Sequence, residues 1–298
     1  MKQLVILSGK GGTGKTTVAS SFIKLSNAKM YADCDVDAPN LHLLFKDGNT
    51  SLTDFYGLKK AVIHNENCIL CRTCLKECKF SAIEEKNGKL QVNQYNCEGC
   101  GMCEYLCPCN AITLEDSKAG ELKLNKSENK VFSTAELKMG SGTSGKLVTE
   151  VKKQLLKNQI DDSVAIIDGS PGIGCPVIAT LSGADAVLIV TEPTISGFSD
   201  LERIINTALG FKVKVFVTVN KADINKENTE KIIEYLSKNN IEYVGSIPYD
   251  KEAVRLINEG KTVVDSDSNV GNAIREIYKK VMSYFGDKNE NICTKWKQ

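Results

Sequence analysis

The sequence predicts an α/β protein in which a mostly parallel sheet is flanked by helices and interrupted by a small cysteine-rich α+β unit. Three observations carry this. Apolar runs of strand length alternate with helical patterns along most of the chain. A glycine-rich loop follows the first such run, and eight of the 12 cysteines fall between Cys68 and Cys107. Alternating βα units bury their strands between helices and place ligands at the strands' carboxyl ends.

Residues 3–7 read as a buried strand running into Ser8-Gly9-Lys10-Gly11-Gly12-Thr13-Gly14-Lys15-Thr16-Thr17, which satisfies G-x4-G-K-[ST]. Glycines at this spacing let backbone amides curl around phosphate oxygens. Lys15 is placed to neutralise the β and γ phosphates, and Thr16 to offer its hydroxyl to Mg²⁺. The helix beginning near Lys15, with Val18, Phe22 and Leu25 on one face, points its positive end at the same anion. The cofactor-binding residues expected here are Gly9, Lys10, Gly11, Gly12, Thr13, Gly14, Lys15, Thr16 and Thr17.

A second short strand ends near Ala32 and leads into Asp33-Cys34-Asp35-Val36-Asp37. In an extended segment the three carboxylates would share one side and need a metal or lysine nearby; a solvated turn is the alternative. Negative charge around Cys34 would raise its pKa and leave it inert.

The cysteine unit is an internal duplication. Cys68, Cys71, Cys74 and Cys78 recur 29 residues on as Cys97, Cys100, Cys103 and Cys107, and Ala82-Ile83 recurs as Ala111-Ile112. Each run reads C-x2-C-x2-C-x3-C, the spacing of bacterial two-cluster ferredoxins, where the fourth cysteine of each run serves the other cluster. Cys68, Cys71, Cys74 and Cys107 are therefore assigned to one [4Fe-4S] cluster, and Cys97, Cys100, Cys103 and Cys78 to the second. Pro108 follows the last ligand as the pattern expects, while Lys79 stands where the first run would carry proline. Two four-thiolate zinc sites would also use eight cysteines, but zinc sites pair C-x2-C knuckles across a longer gap.

The connection over residues 117–145 has apolar pieces at 122–124 and 131–132 that suit small strands. The loop from Gly140 to Lys146 lacks the phosphate-binding frame, and Ser144 is placed to cap a helix over 146–156. Residues 163–167 form a strand closed by Asp168, the position where an acidic side chain meets the Mg²⁺ hydration shell. Strands over 186–190, 213–219 and 241–247 then alternate with helices over 198–209, 227–237 and 269–284. Asn220-Lys221-Ala222-Asp223 falls at a strand's carboxyl end, and residues 286–298 read as a mobile polar tail.

Composition narrows the partners. With 38 basic and 37 acidic residues the net charge is +1, which argues against nucleic acid. The longest apolar run, residues 186–190, falls far short of the roughly 18 residues of a membrane span. The opening Met1-Lys2-Gln3 carries no signal-peptide pattern, and the expected location is cytoplasmic with thiols reduced or metal-bound.

Lys10 adds a second lysine to the loop, and K-G-G-x-G-K-[ST] resembles the deviant Walker A motif of the MinD, ParA, Mrp and nitrogenase iron protein superfamily. With the cysteine unit, the chain resembles a MinD/Mrp-like P-loop NTPase carrying an inserted two-[4Fe-4S] ferredoxin domain, with residues 1–60 and 117–298 forming the ATPase and 61–116 the insertion. The resemblance implies an ATP-dependent homodimer in which Lys10 reaches the partner's nucleotide. It implies Mg²⁺ held through Thr16 and Asp168, a switch I around Asp35 that orients water, and a switch II after Asp168. Lys10, Lys15, Asp35 and Asp168 would be the catalytic set. Asn220 and Pro248 would contact adenine, although Asp223 completes an N-K-x-D that keeps guanine open. Cys175 sits where the nitrogenase iron protein carries a cluster ligand, the alternative being a buried structural thiol. The expected activity is ATP hydrolysis coupled to electron transfer toward a redox protein; assembly or delivery of a metal cofactor to an accepting protein is the alternative. A positioning ATPase would leave the ferredoxin unit unexplained.

Overall fold

The computed structural model describes residues 1–44 and 48–286. Beyond Gly286, the expected mobile tail, with Cys293 and Trp296, lies outside the described residues. The chain begins with β1 (Gln3–Ser8), α1 (Lys15–Ser26), β2 (Met30–Asp33), a 3₁₀ turn (Leu41–Leu43) and β3 (Asn49–Tyr56). The cysteine-rich stretch follows as β4 (Lys60–Ile63), α2 (Thr73–Glu77), β5 (Ile83–Lys86), β6 (Lys89–Val92), α3 (Met102–Tyr105) and β7 (Ile112–Glu115). The chain then returns through β8 (Lys118–Lys126), β9 (Val131–Leu137), α4 (Ser144–Lys157), β10 (Ala165–Pro171), α5 (Cys175–Leu181), β11 (Ala186–Thr191) and α6 (Ile195–Gly210). It closes with β12 (Lys214–Asn220), α7 (Lys226–Lys238), β13 (Glu242–Ile247), α8 (Lys251–Asn258) and α9 (Asn269–Ser283).

The main sheet has nine strands in the order β13-β12-β11-β1-β10-β2-β9-β8-β3. Only β8 runs against the rest, pairing antiparallel with both β9 and β3. Every residue of β1 is buried, and alternate side chains serve opposite faces. Leu4 and Ile6 join the core under α1 and α9, whereas Val5 and Leu7 join the one under α4, α5 and α6. Burying each such aliphatic side chain stabilises the fold by about 1.5–3 kcal/mol. The amphipathic helices α6, α7, α8 and α9 each start at a side-chain cap, from Thr194, Asn225, Asp250 and Ser268, which stops the first N–H groups going unpaired.

Between β3 and β8 the chain leaves the sheet. Gly57 N–H donates to Ser117 O (3.2 Å) at the stem, so the smaller unit grows from the tip of a β3–β8 hairpin. It holds two two-stranded sheets, β4–β7 and β5–β6, around its own core of Ala61, Ala82, Ile83, Leu90 and Ile112 with Cys74 and Cys97.

Four expectations need correction. The apolar pieces at 122–124 and 131–132 are not small strands but parts of nine- and seven-residue strands of the main sheet. Asp168 does not close its strand, because β10 continues to Pro171. Helix α4 begins at Ser144 itself with Thr143 as the preceding cap residue and no side-chain cap bond. The Asp33–Asp37 segment is not extended either: Ala38 N–H bonds back to Asp35 O (3.2 Å), closing a turn that leaves Asp37 exposed.

Candidate nucleotide and cluster sites

The glycine-rich loop joins the carboxyl end of β1 to the amino end of α1. Gly14 ends it with φ 89°, in the left-handed region that glycine adopts freely, and a Cβ there would collide with the Asn220 amide. Asn220 is fixed by its own bond, Nδ2 donating to Thr13 O (2.7 Å). The last strand but one is thereby tied to the loop.

Lys15 is 6% exposed and Asp168 1%, and Lys15 Nζ lies 2.5 Å from Asp168 Oδ1. Thr16 Oγ1 donates to the other oxygen, Oδ2, at 2.7 Å. Asp33 stands beside Asp168 as its register partner on β2. Its carboxylate accepts the N–H groups of Asp35, Asn40 and Leu41, each at 3.0 Å. Burial opposes the charge on Lys15, yet the contact with Asp168, supported by Asp33 and Asp35, holds the amine above its ordinary range. Burial, reinforced by the charge of Asp168, pushes Asp33 up to about 7. Asp35 is also raised, first by burial, with Lys15 opposing. One amine, one hydroxyl and three carboxyl groups thus meet where the helix dipole is positive, an arrangement suited to phosphate and a hydrated divalent cation.

Around this centre the chain is cross-tied. Cys34 N–H donates to Asp168 O (2.7 Å), Ser170 Oγ donates to Cys34 O, and Gly172 N–H donates to Ser8 O (2.9 Å). Lys10 folds back within its own chain, 3.5 Å from Glu192 Oε2 and bonded to Thr194 Oγ1 at 3.1 Å. Glu192 also pairs with Lys221 at 2.5 Å. Sequence reasoning missed Glu192, whose signal was an acidic residue just after a buried strand. Pro248 is half-buried beyond β13, and Asp223 Oδ1 accepts the N–H of the next residue, Tyr249, at 2.7 Å. Cys34 is wholly buried, and burial above all pushes its thiol up to about 12, the neighbouring carboxylates adding less. Cys175 opens α5 exposed, which removes the reading of it as a buried structural thiol.

In the smaller unit Cys74 and Cys97 are buried, Cys71 and Cys100 exposed, and Cys68, Cys78, Cys103 and Cys107 in between. A cavity of about 150 Å³ is lined by Cys74, Cys78, Cys97, Cys100 and Cys103 with apolar neighbours such as Ile83 and Leu114. Burial pushes Cys74 up to about 11, and the nearby Cys103, Cys68 and Cys71 add to it. Burial also raises Cys103, with Cys97 and Cys100 as its charged neighbours. Burial works against the Cys107 thiolate, but N–H groups of Ala111 and Cys109 hold it below its ordinary value, with Cys71 within electrostatic reach. Backbone N–H groups already point at sulfur: Ala82 at Cys78 (3.4 Å), Ala111 at Cys107 (3.2 Å) and Ala61 at Cys97 (3.5 Å). A cubane takes one thiolate at each iron, and the two runs supply eight thiols, three of which already meet a backbone N–H. The donor set fits that group. Cys109, outside the repeat, lies 3.7 Å from Cys107 sulfur to sulfur.

Residues 137–145 connect the two sites. Leu137 N–H donates to Val36 O (2.9 Å). A Cβ on Gly140 would lie 3.0 Å from the Tyr95 ring, and one on Gly145 3.0 Å from Cys175 Cβ. One segment therefore touches the loop after β2, the helix after β10 and the cysteine unit.

Comparison with known proteins places this geometry. The chain belongs to the CbiA family, the CobQ/CobB/MinD/ParA nucleotide binding domain, whose family model matches residues 4–263. It is 33% identical over 288 residues to the uncharacterized protein MJ0578 of Methanocaldococcus jannaschii, covering 95% of this chain and 97% of that one. Over 74 residues, 24% of this chain and 86% of the relative, it is 32% identical to the pyruvate synthase subunit PorD of the same organism. The septum site-determining protein MinD from Pyrococcus horikoshii, solved with Mg-ADP, shares the fold at TM-score 0.57 and 18% identity, with 96% of this chain and 97% of that one aligned. The protein is thus a MinD-like P-loop protein of α/β fold. Among the described residues no helix is long and apolar enough to cross a membrane.

Proposed function

We propose that this protein binds and hydrolyses Mg-ATP and couples its nucleotide state to electron transfer through two [4Fe-4S] clusters toward a partner metalloprotein. Residues 1–60 and 117–298 would form the ATPase and 61–116 the cluster-bearing unit. Lys15 would hold the β and γ phosphates, Thr16 and Asp168 the Mg²⁺, and Asp35 the attacking water. Asn220 and Pro248 would border the base. Adenine is preferred to guanine because the second lysine of the loop, Lys10, is the mark of the ATPases that the chain resembles. Lys10 would exchange its contacts with Glu192 and Thr194 for the nucleotide of a second protomer in an ATP-dependent homodimer. Cys68, Cys71, Cys74 and Cys107 would hold one cluster, and Cys97, Cys100, Cys103 and Cys78 the other. Such clusters supply one-electron chemistry when bound.

The observation that carries the coupling is the contact of residues 137–145 with Val36, Cys175 and Tyr95 together. Movement of either switch segment with the γ-phosphate would be felt at the cysteine unit through this connection. The test is anaerobic purification, iron and sulfide counting, and potentiometry with and without a non-hydrolysable ATP analogue. About eight irons per chain and a nucleotide-dependent potential are expected. A potential indifferent to nucleotide would overturn the coupling, and iron passing to an apo-acceptor on ATP addition would favour cofactor delivery instead.

A further inference from the structure

A second cavity, of about 650 Å³, lies between residues 37–42 and the outer end of the sheet, where β9, β8 and β3 present one face. That volume falls within the range of small-molecule sites. We infer that this cavity binds a small zwitterion of amino-acid type and that its occupancy acts on the segment after β2. The inference rests on the nucleotide-site reading only for that last part.

Four features define the ligand. Thr134 is 4% exposed, lines the cavity, and its hydroxyl has no hydrogen-bond partner. The amide oxygen of Asn125, on the neighbouring strand, is likewise buried and unpaired, while its Nδ2 is committed to Thr50 Oγ1 at 3.3 Å. An acceptor left without a donor calls for an N–H or ammonium. Lys123 and Glu136 pair at 2.6 Å on the same lining, so both signs of charge are offered side by side. A singly charged ligand would leave one of them facing like charge, whereas an ammonium and a carboxylate held by one molecule match both. Phe132, stacked on Tyr31 at 5.1 Å, supplies an apolar floor. Asp37 and Asn40 form the opposite wall, and Asn40 N–H is bonded to Asp33, so a ligand pressing on that wall reaches the phosphate site through one residue.

The experiment is calorimetry and thermal shift on nucleotide-free protein with each of the twenty amino acids in turn, followed by titration of a fluorescent ATP analogue in their presence. At least one amino acid is expected to bind saturably and raise Tm in the wild type and to lose at least tenfold in affinity in Thr134→Val. That variant keeps the side-chain shape and removes an unpaired hydroxyl, so its ligand-free Tm should be unchanged or higher. If it does not fold, Glu136→Gln, at the more exposed rim, reads the same site and should weaken binding at least tenfold. No response from any amino acid, or a wild-type response persisting in the folded variants, would overturn the site. Saturable binding that leaves analogue affinity unchanged would overturn its action on the segment after β2, without bearing on whether ATP binds.

Discussion

At the scale of single residues, Lys15–Asp168 is the most deeply buried ion pair among the described residues. Removing one member of a buried pair typically costs about 3–5 kcal/mol because the other is left charged and unpaired. In Lys15→Met both Asp168 and its register partner Asp33 would remain, so a stability loss of about 3 kcal/mol in denaturant titration is expected, with ATP affinity falling at least about 100-fold by equilibrium dialysis. Asp33 carries a second prediction. A carboxyl raised to about 7 from 3.8 favours folding while protonated. Its contribution is complete below the unfolded value and is lost as pH rises through the folded one. In magnesium- and nucleotide-free protein, Asp33→Asn should therefore flatten the decline of Tm between about pH 5 and about pH 7.5; an unaltered slope would count against that burial cost. Lys15, Thr16 and Asp168 were legible because motif spacing fixes the first two and a buried strand announces the third. Glu192 and the unpaired Thr134 were not, since their significance comes from strands distant in the chain.

At the scale of elements, legibility followed burial. Strands β1, β11 and β12 have dominantly apolar, buried interiors and read directly from the sequence. Strand β3 escaped because all of it except Phe55 is exposed, which leaves an edge strand without an apolar rhythm. Strand β8, KAGELKLNK, hid its alternation under charges. Helix α5 is only seven residues long, too short for a helical period to declare itself. Its end is secured from outside: Lys152 on α4 donates to Thr180 O (2.6 Å) and Ser182 O (2.5 Å), and burial draws its pKa down to about 8. Lys152→Met keeps the aliphatic stem but leaves both carbonyls unpaired. A loss of about 2 kcal/mol is expected by chemical denaturation, with faster hydrogen exchange confined to α5 and the loop after it.

At the scale of the whole molecule, the hairpin stem makes a separable-unit prediction. Gly57 and Ser117 are already hydrogen-bonded, so replacing residues 58–116 by a two-residue Asn-Gly turn should leave the nine-stranded sheet intact. The shortened protein is expected to bind ATP within about threefold of the full chain while losing all bound iron; loss of far-ultraviolet circular dichroism beyond that of the deleted strands would show that the sheet depends on the insertion. The same stem has a consequence for how the chain acquires its structure during synthesis. Strands β1, β2 and β3 pair only with strands that follow Ser117, whereas β4–β7 and β5–β6 close within residues 60–115. Local pairings form sooner than distant ones. As the chain emerges from the ribosome, the cysteine unit can therefore close on its own strands while the phosphate loop is still waiting for the strands that will hold it.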